Sequence, residues 1–337
     1  MTEPLVSICI PTYNRAAFIP KAIESALGQT YKNIEVIVVD NASTDNTEEI
    51  IASYSDPRLN YVRNSENIGQ FGNLNRCIEL YNGDFLHILH SDEYIEPNFT
   101  EQCVKFFEEH PNVQLTCTSY REEYNDHILP YQIFPNDIIF KAPNGFKQIL
   151  SEGLFISCAS VMVRRGVYES PAVGKFSLEY PFSGDLYQWL KLTKHCDVAY
   201  LSDVWMNDIC GEYSESYRLL FKTPIGYMDT LKIHTNLIFY LDAKKEFRQE
   251  INQSLTRYIK DCYYAVFARA GKKSFSPSIL CGLAFSACAL MQVNSGSSLM
   301  KKSLYTLMTL FVAMACHIPG LRSVIKYMLT KEKAIPY

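Results

Sequence analysis

The stretch that decides the fold is LVSICIPTYNRAAFIPKAIESALGQTYKNIEVIVVDNASTDNT, residues 5–47. It opens on a short continuous apolar run, LVSICI (5–10), closed by Pro11, and such a run reads as a strand buried on both faces. Phe18, Ile19, Ala22, Ile23, Ala26 and Leu27 then recur at helical spacing and mark one buried face. IEVIVVD (34–40) is a second buried strand. After it, Ser43 or Thr44 can cap a helix that begins near Asn46. Strand, helix, strand and helix in succession, with the strands buried, specify an α/β domain on a largely parallel sheet.

The same alternation continues outward. LNYVRN (59–64) and FLHIL (85–89) read as strands, with the helical FGNLNRCIELYN between them. VQLTCTSY (113–120) and SCASVMVRR (157–165) read as later strands. FSGDLYQWLKLTKH (182–195) reads as a helix behind a Ser183-Gly184-Asp185 cap. From about residue 225 the pattern is helical, and there is no internal repeat. Ligands of such sheets bind beyond the carboxyl ends of the strands. Here those ends are polar: Pro11-Thr12-Tyr13-Asn14, Asp40-Asn41, Arg63-Asn64 and His90-Ser91-Asp92.

Composition narrows the function. The 337 residues, 47% hydrophobic and 20% charged, can bury a sizeable core. A net charge of −4 argues against nucleic acid as a partner. Eleven cysteines show no CxxC or Cys/His zinc spacing and read as small buried hydrophobes. With no basic leader before LVSICI, they point to a reducing cytoplasm. A GxGxxG after the first strand is missing, as is a GxxxxGK[ST] loop, which disfavours dinucleotide and P-loop chemistry. The strand ends offer carboxylates, amides and a phenol instead. Asp40 can accept hydrogen bonds from a base or ribose, and Tyr13 can stack on a base. His90 and Asp92 can hold a divalent cation that bridges a diphosphate.

The opening stretch, followed by NIGQFGNLNRCI and GDFLHILHSDE, resembles the family 2 glycosyltransferases, inverting sugar transferases with a GT-A fold. The likeness is strong over residues 5–100, moderate to about 205, and fades beyond. It implies a GT-A domain over residues 1–215, a mostly parallel sheet flanked by helices, and a helical C-terminal region over 216–337. Pro11, Thr12 and Tyr13 would line the nucleobase and ribose, with Asp40 and Asn41 at the neighbouring strand end. Asn67, Gly69 and Asn75 fall on the family's Asn-x-Gly…Asn spacing. Asp92, with His90, would hold Mn²⁺ or Mg²⁺ and, through it, the donor diphosphate. Asp185, in FSGDLYQWLKL, would take the proton from the acceptor hydroxyl. The activity implied is transfer of a sugar from a nucleotide-sugar donor to a saccharide, in O-antigen or other surface-polysaccharide synthesis. An undecaprenyl-diphosphate-linked acceptor fits that class. The alternative is a degenerate member that binds nucleotide or glycan without catalysis.

This chain departs from the family pattern in four places. His90 stands at the first acidic position of the metal motif and Glu93 follows Asp92; imidazole suits Mn²⁺ better than Mg²⁺. Gly184 replaces a second acid before Asp185, and Leu74 replaces a basic residue before Asn75. WMNDICGEYSES (205–216) lacks the usual Arg-x-His. Each candidate also has a plain structural role open to it. Asp40 can cap a turn, His90 can bond to backbone, Asp185 can serve the N-terminus of its helix, and Trp189 reads as core.

SLYTLMTLFVAMACHI (303–318) is short for a membrane span. Lys301 and Lys302 precede it, and Arg322, Lys326, Lys331 and Lys333 follow, against one acid, Glu332. These basic helices suit either packing on the catalytic domain or peripheral contact with the cytoplasmic face of the inner membrane.

Overall fold

A computed structural model of the chain describes residues 3–124 and 127–210, with position 233 and several positions between 247 and 257. Contacts divide the chain into two compact units, Met1–Ile149 with Leu154–Ser214, and Leu150–Gly153 with Glu215–Tyr337. Nearly all described elements belong to the first. The 303–318 run and the basic residues after it lie outside the described residues.

The first half alternates without exception: β1 (Val6–Thr12), α1 (Ile19–Leu27), β2 (Ile34–Asp40), α2 (Thr47–Ala52), β3 (Leu59–Arg63), α3 (Gln70–Leu80) and β4 (Phe85–Ile88). The strands lie in the order β3-β2-β1-β4, each parallel to its neighbours. Val6, Ile8, Cys9 and Ile10 of the central β1 are fully buried, as a strand covered on both faces must be. α1 lays Ile19, Ala22, Ile23 and Ala26 on one side, and its Pro20 sits in the first turn, where no amide hydrogen bond is forfeited. On the other side Cys9 meets Cys77 of α3 through an Sγ···O contact of 3.8 Å. The cap at α2 differs from expectation. Ser43 turns back to Asp40, and Asp45 Oδ1 accepts the Thr47 N–H at 3.1 Å instead.

The second half is mixed: β5 (Glu93–Ile95), α4 (Phe99–Glu109), β6 (Val113–Tyr124), β7 (His127–Tyr131), β8 (Ile138–Phe140), α5 (Asn144–Glu152), β9 (Met162–Arg164), α6 (Gly184–His195) and β10 (Asp197–Ile209). β9 runs antiparallel between β4 and β6; β10 is parallel to β6 and antiparallel to β5 and β8. The largely parallel sheet expected from the sequence is thus parallel throughout its first half and again at the β6–β10 pair, with antiparallel strands between and beside them. Of SCASVMVRR only Met162–Arg164 is extended, because Cys158–Ser160 forms a 3₁₀ turn. β10 escaped the sequence pattern: its register shifts between Leu201 and Trp205, and Asp203, Asn207 and Asp208 interrupt its apolar residues. Phe99, Cys103 and Phe107 of α4 join the α1 side of the core, while Trp189 of α6 is 1% exposed and serves as core. The described cysteines are all free, and Cys9, Cys77, Cys103, Cys117 and Cys196 are buried. Among the described residues no helix is long and apolar enough to cross a membrane.

Candidate active site

The parallel strands bring the ends of β1, β2 and β3 to one edge of the sheet, and their loops are stitched together there. Asn14, at φ 52°, adopts the left-handed conformation that asparagine tolerates. Its N–H donates to Ser43 Oγ at 2.9 Å, and its Oδ1 accepts the Thr44 N–H at 2.7 Å. Ala16 N–H reaches Asp45 Oδ2 at 3.1 Å. This holds Tyr13 at the lip, 41% exposed. Pro11 and Thr12 form the last residues of β1. The Thr12 carbonyl accepts the Asn41 N–H at 2.9 Å, and its buried Oγ1 has no partner among the described residues.

Asp40 is fully buried and already busy. Oδ1 accepts from Ser43 N–H and Oγ–H, at 2.9 and 2.6 Å; Oδ2 accepts from Tyr61 Oη at 2.8 Å and Arg63 at 2.9 Å. A carboxylate offers about four lone-pair positions, so a base can bond Asp40 only by displacing one of these donors. Arg63 and Tyr61 are thus part of this strand end. The register that sets Arg63 opposite Asp40 was the feature from which they could have been read.

Asn41, 3% exposed, organises the β3–α3 loop. It donates to Asn67 Oδ1 at 2.8 Å and accepts from the Ile68 N–H at 2.9 Å and from Asn64 at 3.2 Å. Asn67 in turn accepts the Gly69 N–H at 2.9 Å, and Gly69 takes φ 79°, which glycine adopts without strain. Asn73 closes the network, accepting from Asn64 at 2.9 Å and donating to the Val39 carbonyl at 2.9 Å. Asn75 stands apart. Its amide exchanges two hydrogen bonds of 2.9 Å with the Phe176 backbone, so it pins a distant segment instead of facing the strand ends. Helix geometry turns positions 73 and 75 to different sides, so Asn75 serves the Phe176 segment while Asn73 serves the strand ends.

β4 ends in the tight turn His90-Ser91-Asp92-Glu93, in which Glu93 N–H bonds the His90 carbonyl at 3.1 Å. Asp92 Oδ2 lies 3.7 Å from Arg15 Nε, which links this turn to the β1–α1 loop. His90 Nδ1 lies 3.5 Å from Glu93 Oε2. Burial alone would lower the imidazole pKa, but Glu93 and Cys158 together hold it well above its usual value. The Nε2 is sealed from solvent. Nδ1 of His90 thus faces the Glu93 carboxylate, while Nε2 is buried without a hydrogen-bond partner among the described residues. Asp92 does fit a hard cation, which takes one or two carboxylates and fills its remaining positions with phosphate and water. Among the described residues no three ligand-type side chains stand together as a cage.

Asp185 sits in the first turn of α6 and accepts the Leu186 N–H at 2.7 Å. Burial pushes its carboxyl pKa up, against the Leu186 amide and the nearby His90 charge, which pull it down. A Cβ built on Gly184 would lie 2.8 Å from the Phe71 ring, so Phe71 fills the space a second acid would need. Asp208 of β10, opposite Glu93 in register, is raised to about 8 by burial and then by Glu93 and Asp92. Sequence reading overlooked it because its strand was not recognised.

Residues 7–170 match the family model described as glycosyl transferase family 2. The chain is 27% identical over 219 residues to the Escherichia coli UDP-Glc:alpha-D-GlcNAc-diphosphoundecaprenol beta-1,3-glucosyltransferase WfgD, a match that takes in 65% of this chain and 79% of that one. Several other curated relatives are spanned over about a third of their own length. Among solved structures, S. aureus TarS 1-349 in complex with UDP-GlcNAc superposes with a TM-score of 0.63 at 18% identity, covering 98% of this chain and 93% of that one. The mannosyltransferase PcManGT from Pyrobaculum calidifontis, in complex with GDP-Man and Mn2+, gives 0.54 at 16%, covering 98% and 85%. At such identities these two structures speak for the fold alone.

Proposed function

The chain belongs to glycosyl transferase family 2, and from that premise we propose that residues 1–215 transfer a sugar from a uridine-diphosphate donor to a lipid-linked saccharide acceptor with inversion. The uridine class and the diphosphate-lipid acceptor are both supported by the donor and acceptor named for WfgD. The observation that supports the site is the burial of Asp185 in the first turn of α6, which raises its carboxyl pKa while the charge of His90, in the same β4 turn as Asp92, acts on it.

Transfer by single displacement needs one base and a stabilised leaving group. In this reading Asp185 accepts the proton of the attacking hydroxyl, and its raised pKa makes it a stronger base than an exposed aspartate. Arg15 and Asp92 face the donor diphosphate, Arg15 as a cation and Asp92 as the ligand of a divalent ion. When bound, that ion would neutralise charge developing on the leaving diphosphate. Pro11, Thr12 and Tyr13 border the base, and the Asn41–Asn67–Gly69 network shapes the loop beside it. The non-catalytic alternative is disfavoured because the candidate base is retained in a site that strengthens it.

Calorimetric titration of UDP, TDP, GDP and CDP, with and without Mn²⁺, tests this. Metal-enhanced binding of UDP, with Asp185→Asn abolishing transfer but keeping UDP affinity, is the expected result. Binding of no nucleotide under either condition would overturn it.

A further inference from the structure

One face of α3 reaches the helix that carries Asp185. Phe71 and Asn75 stand four residues apart and share that face, while Asn73, about half a turn round the helix, serves the strand ends. Phe71 is buried, and its ring lies so close over Gly184, the residue before Asp185, that a Cβ there would stand 2.8 Å from it. The same ring stacks on Phe176 at 5.8 Å. Asn75 fixes Phe176 in turn, through two hydrogen bonds of 2.9 Å to its backbone. From Phe176 the contact continues into α6. Its ring meets Trp189 edge-on at 5.9 Å, and Trp189 stands one turn of α6 beyond Asp185. Beside it, Gln188 donates to the Gly174 carbonyl at 2.8 Å. α6 is thus gripped at its first turn by Phe71, and one turn on by the 174–176 segment that Asn75 holds.

Asp185 accepts the N–H of Leu186, its neighbour in the same helix, at 2.7 Å. That bond moves with the helix, so the place of the carboxylate follows the place of α6. α3 itself begins at Gly69, at the end of the loop that Asn41 and Asn67 tie down. The helix therefore has the loop beside the proposed donor site at its N-terminus and the proposed base against the face of its first two turns. A close-packed contact of this kind transmits position, because an interior of crystal-like density has little free space to absorb a shift.

We propose that Phe71 is a positioning residue of the transfer reaction: together with Asn75, which acts through Phe176, it holds Asp185 at a set distance from the donor loop. The base role of Asp185 belongs to the transferase reading; the grip on α6 stands on these contacts. The test uses the full chain as wild type, Phe71→Leu, Gly184→Ala, the double variant carrying both, and Asp185→Asn. UDP release from UDP-glucose, UDP-galactose and UDP-N-acetylglucosamine is followed with undecaprenyl-diphosphate-linked N-acetylglucosamine as acceptor, well below every melting temperature. Calorimetry gives UDP affinity alongside. Phe71→Leu should lower kcat about tenfold or more with UDP affinity unchanged, since a misplacement of about 1 Å can cost about 10²-fold. Gly184→Ala should lower it too. The double variant, whose added methyl takes the room the ring has left, should recover most of the loss. A core residue with no positioning role would leave kcat at the wild-type value wherever the chain is folded. Hydrogen exchange over residues 182–195 reads the grip without substrate: it should quicken in Phe71→Leu and slow again in the double variant, while residues 5–12 of β1 stay protected. Wild-type kcat in Phe71→Leu, or unchanged exchange over 182–195, overturns the proposal while Asp185→Asn, if inactive, keeps the base reading. If instead Asp185→Asn retains turnover, or wild type releases UDP from no donor, the base reading has failed and the positioning role falls with it, even where exchange follows the expected pattern.

Discussion

At Gly184 the lack of a side chain is a packing requirement. Phe71 is 4% exposed and stacked on Phe176 at 5.8 Å, so its ring has little room to retreat from an added Cβ. Gly184→Ala should therefore lower stability by about 1–3 kcal/mol, as overpacked sites do. Phe71→Leu in the same chain should restore most of that loss, and thermal melts of both variants check it. One residue along, Asp185 is the proposed base. Asp185→Asn should reduce kcat by about 10²–10⁴, the usual worth of a positioned base, and leave nucleotide affinity intact. The base must be ionised to accept a proton. Because burial raises its pKa from 3.8, the acid limb of the kcat/KM profile should lie above that of an ordinary aspartate. A limb at or below the ordinary value would contradict the burial argument.

At the scale of elements, the two ends of α3 do different work. Its N-terminal side is tied to β2 through Asn41, Asn64, Asn67 and Asn73, and its body reaches across to Phe176 through Asn75. Asn75→Ala removes two hydrogen bonds to a distant backbone, a loss of about 1–3 kcal/mol. The variant should melt earlier yet bind UDP with unchanged affinity. Asn41→Ala, by contrast, unties the loop that flanks the proposed donor site and should weaken UDP binding more than it lowers the melting temperature. Paired calorimetry and melts on the two variants separate clamp from site; identical behaviour of both would show that the division is false.

At the scale of the molecule, His87 makes the fold sensitive to acid. It is fully buried in β4, with Nδ1–H on the Val161 carbonyl at 2.9 Å and its ring against Phe99. Burial lowers its pKa from 6.5 to about 4. A histidine so depressed is neutral in the fold while the unfolded chain takes up a proton. Its contribution is therefore fully present above pH 6.5 and is lost as pH falls from there through about 4, by about 3 kcal/mol in total. Urea midpoints between pH 7.5 and 4.5 (about the range in which folds are usually most stable) should fall more steeply for wild type than for His87→Gln. Parallel slopes would remove His87 as the cause.

The α/β class and the parallel character of the first four strands were legible in residues 5–89, because a buried strand and a one-faced helix write different apolar periods and each period there is clean; their order β3-β2-β1-β4 was set by the tertiary structure. The polar edge where those strands end was legible too, since a parallel sheet puts its strand ends together. β5 and β10 were not legible. One is three residues long, and the other shifts register and carries aspartates that no local pattern explains. With them went Asp208, which faces Glu93 only because β10 pairs with β5. The partners of known candidates were also beyond the sequence. That Arg15 faces Asp92, that His90 faces Glu93, that Asp40 is saturated and that Asn75 faces Phe176 are matters of distance across the chain. Sequence by itself determined which residue types could act and along which edge; tertiary structure alone decided which of them meet, because hydrogen bonds and ion pairs depend on separation in space and not on spacing in the chain.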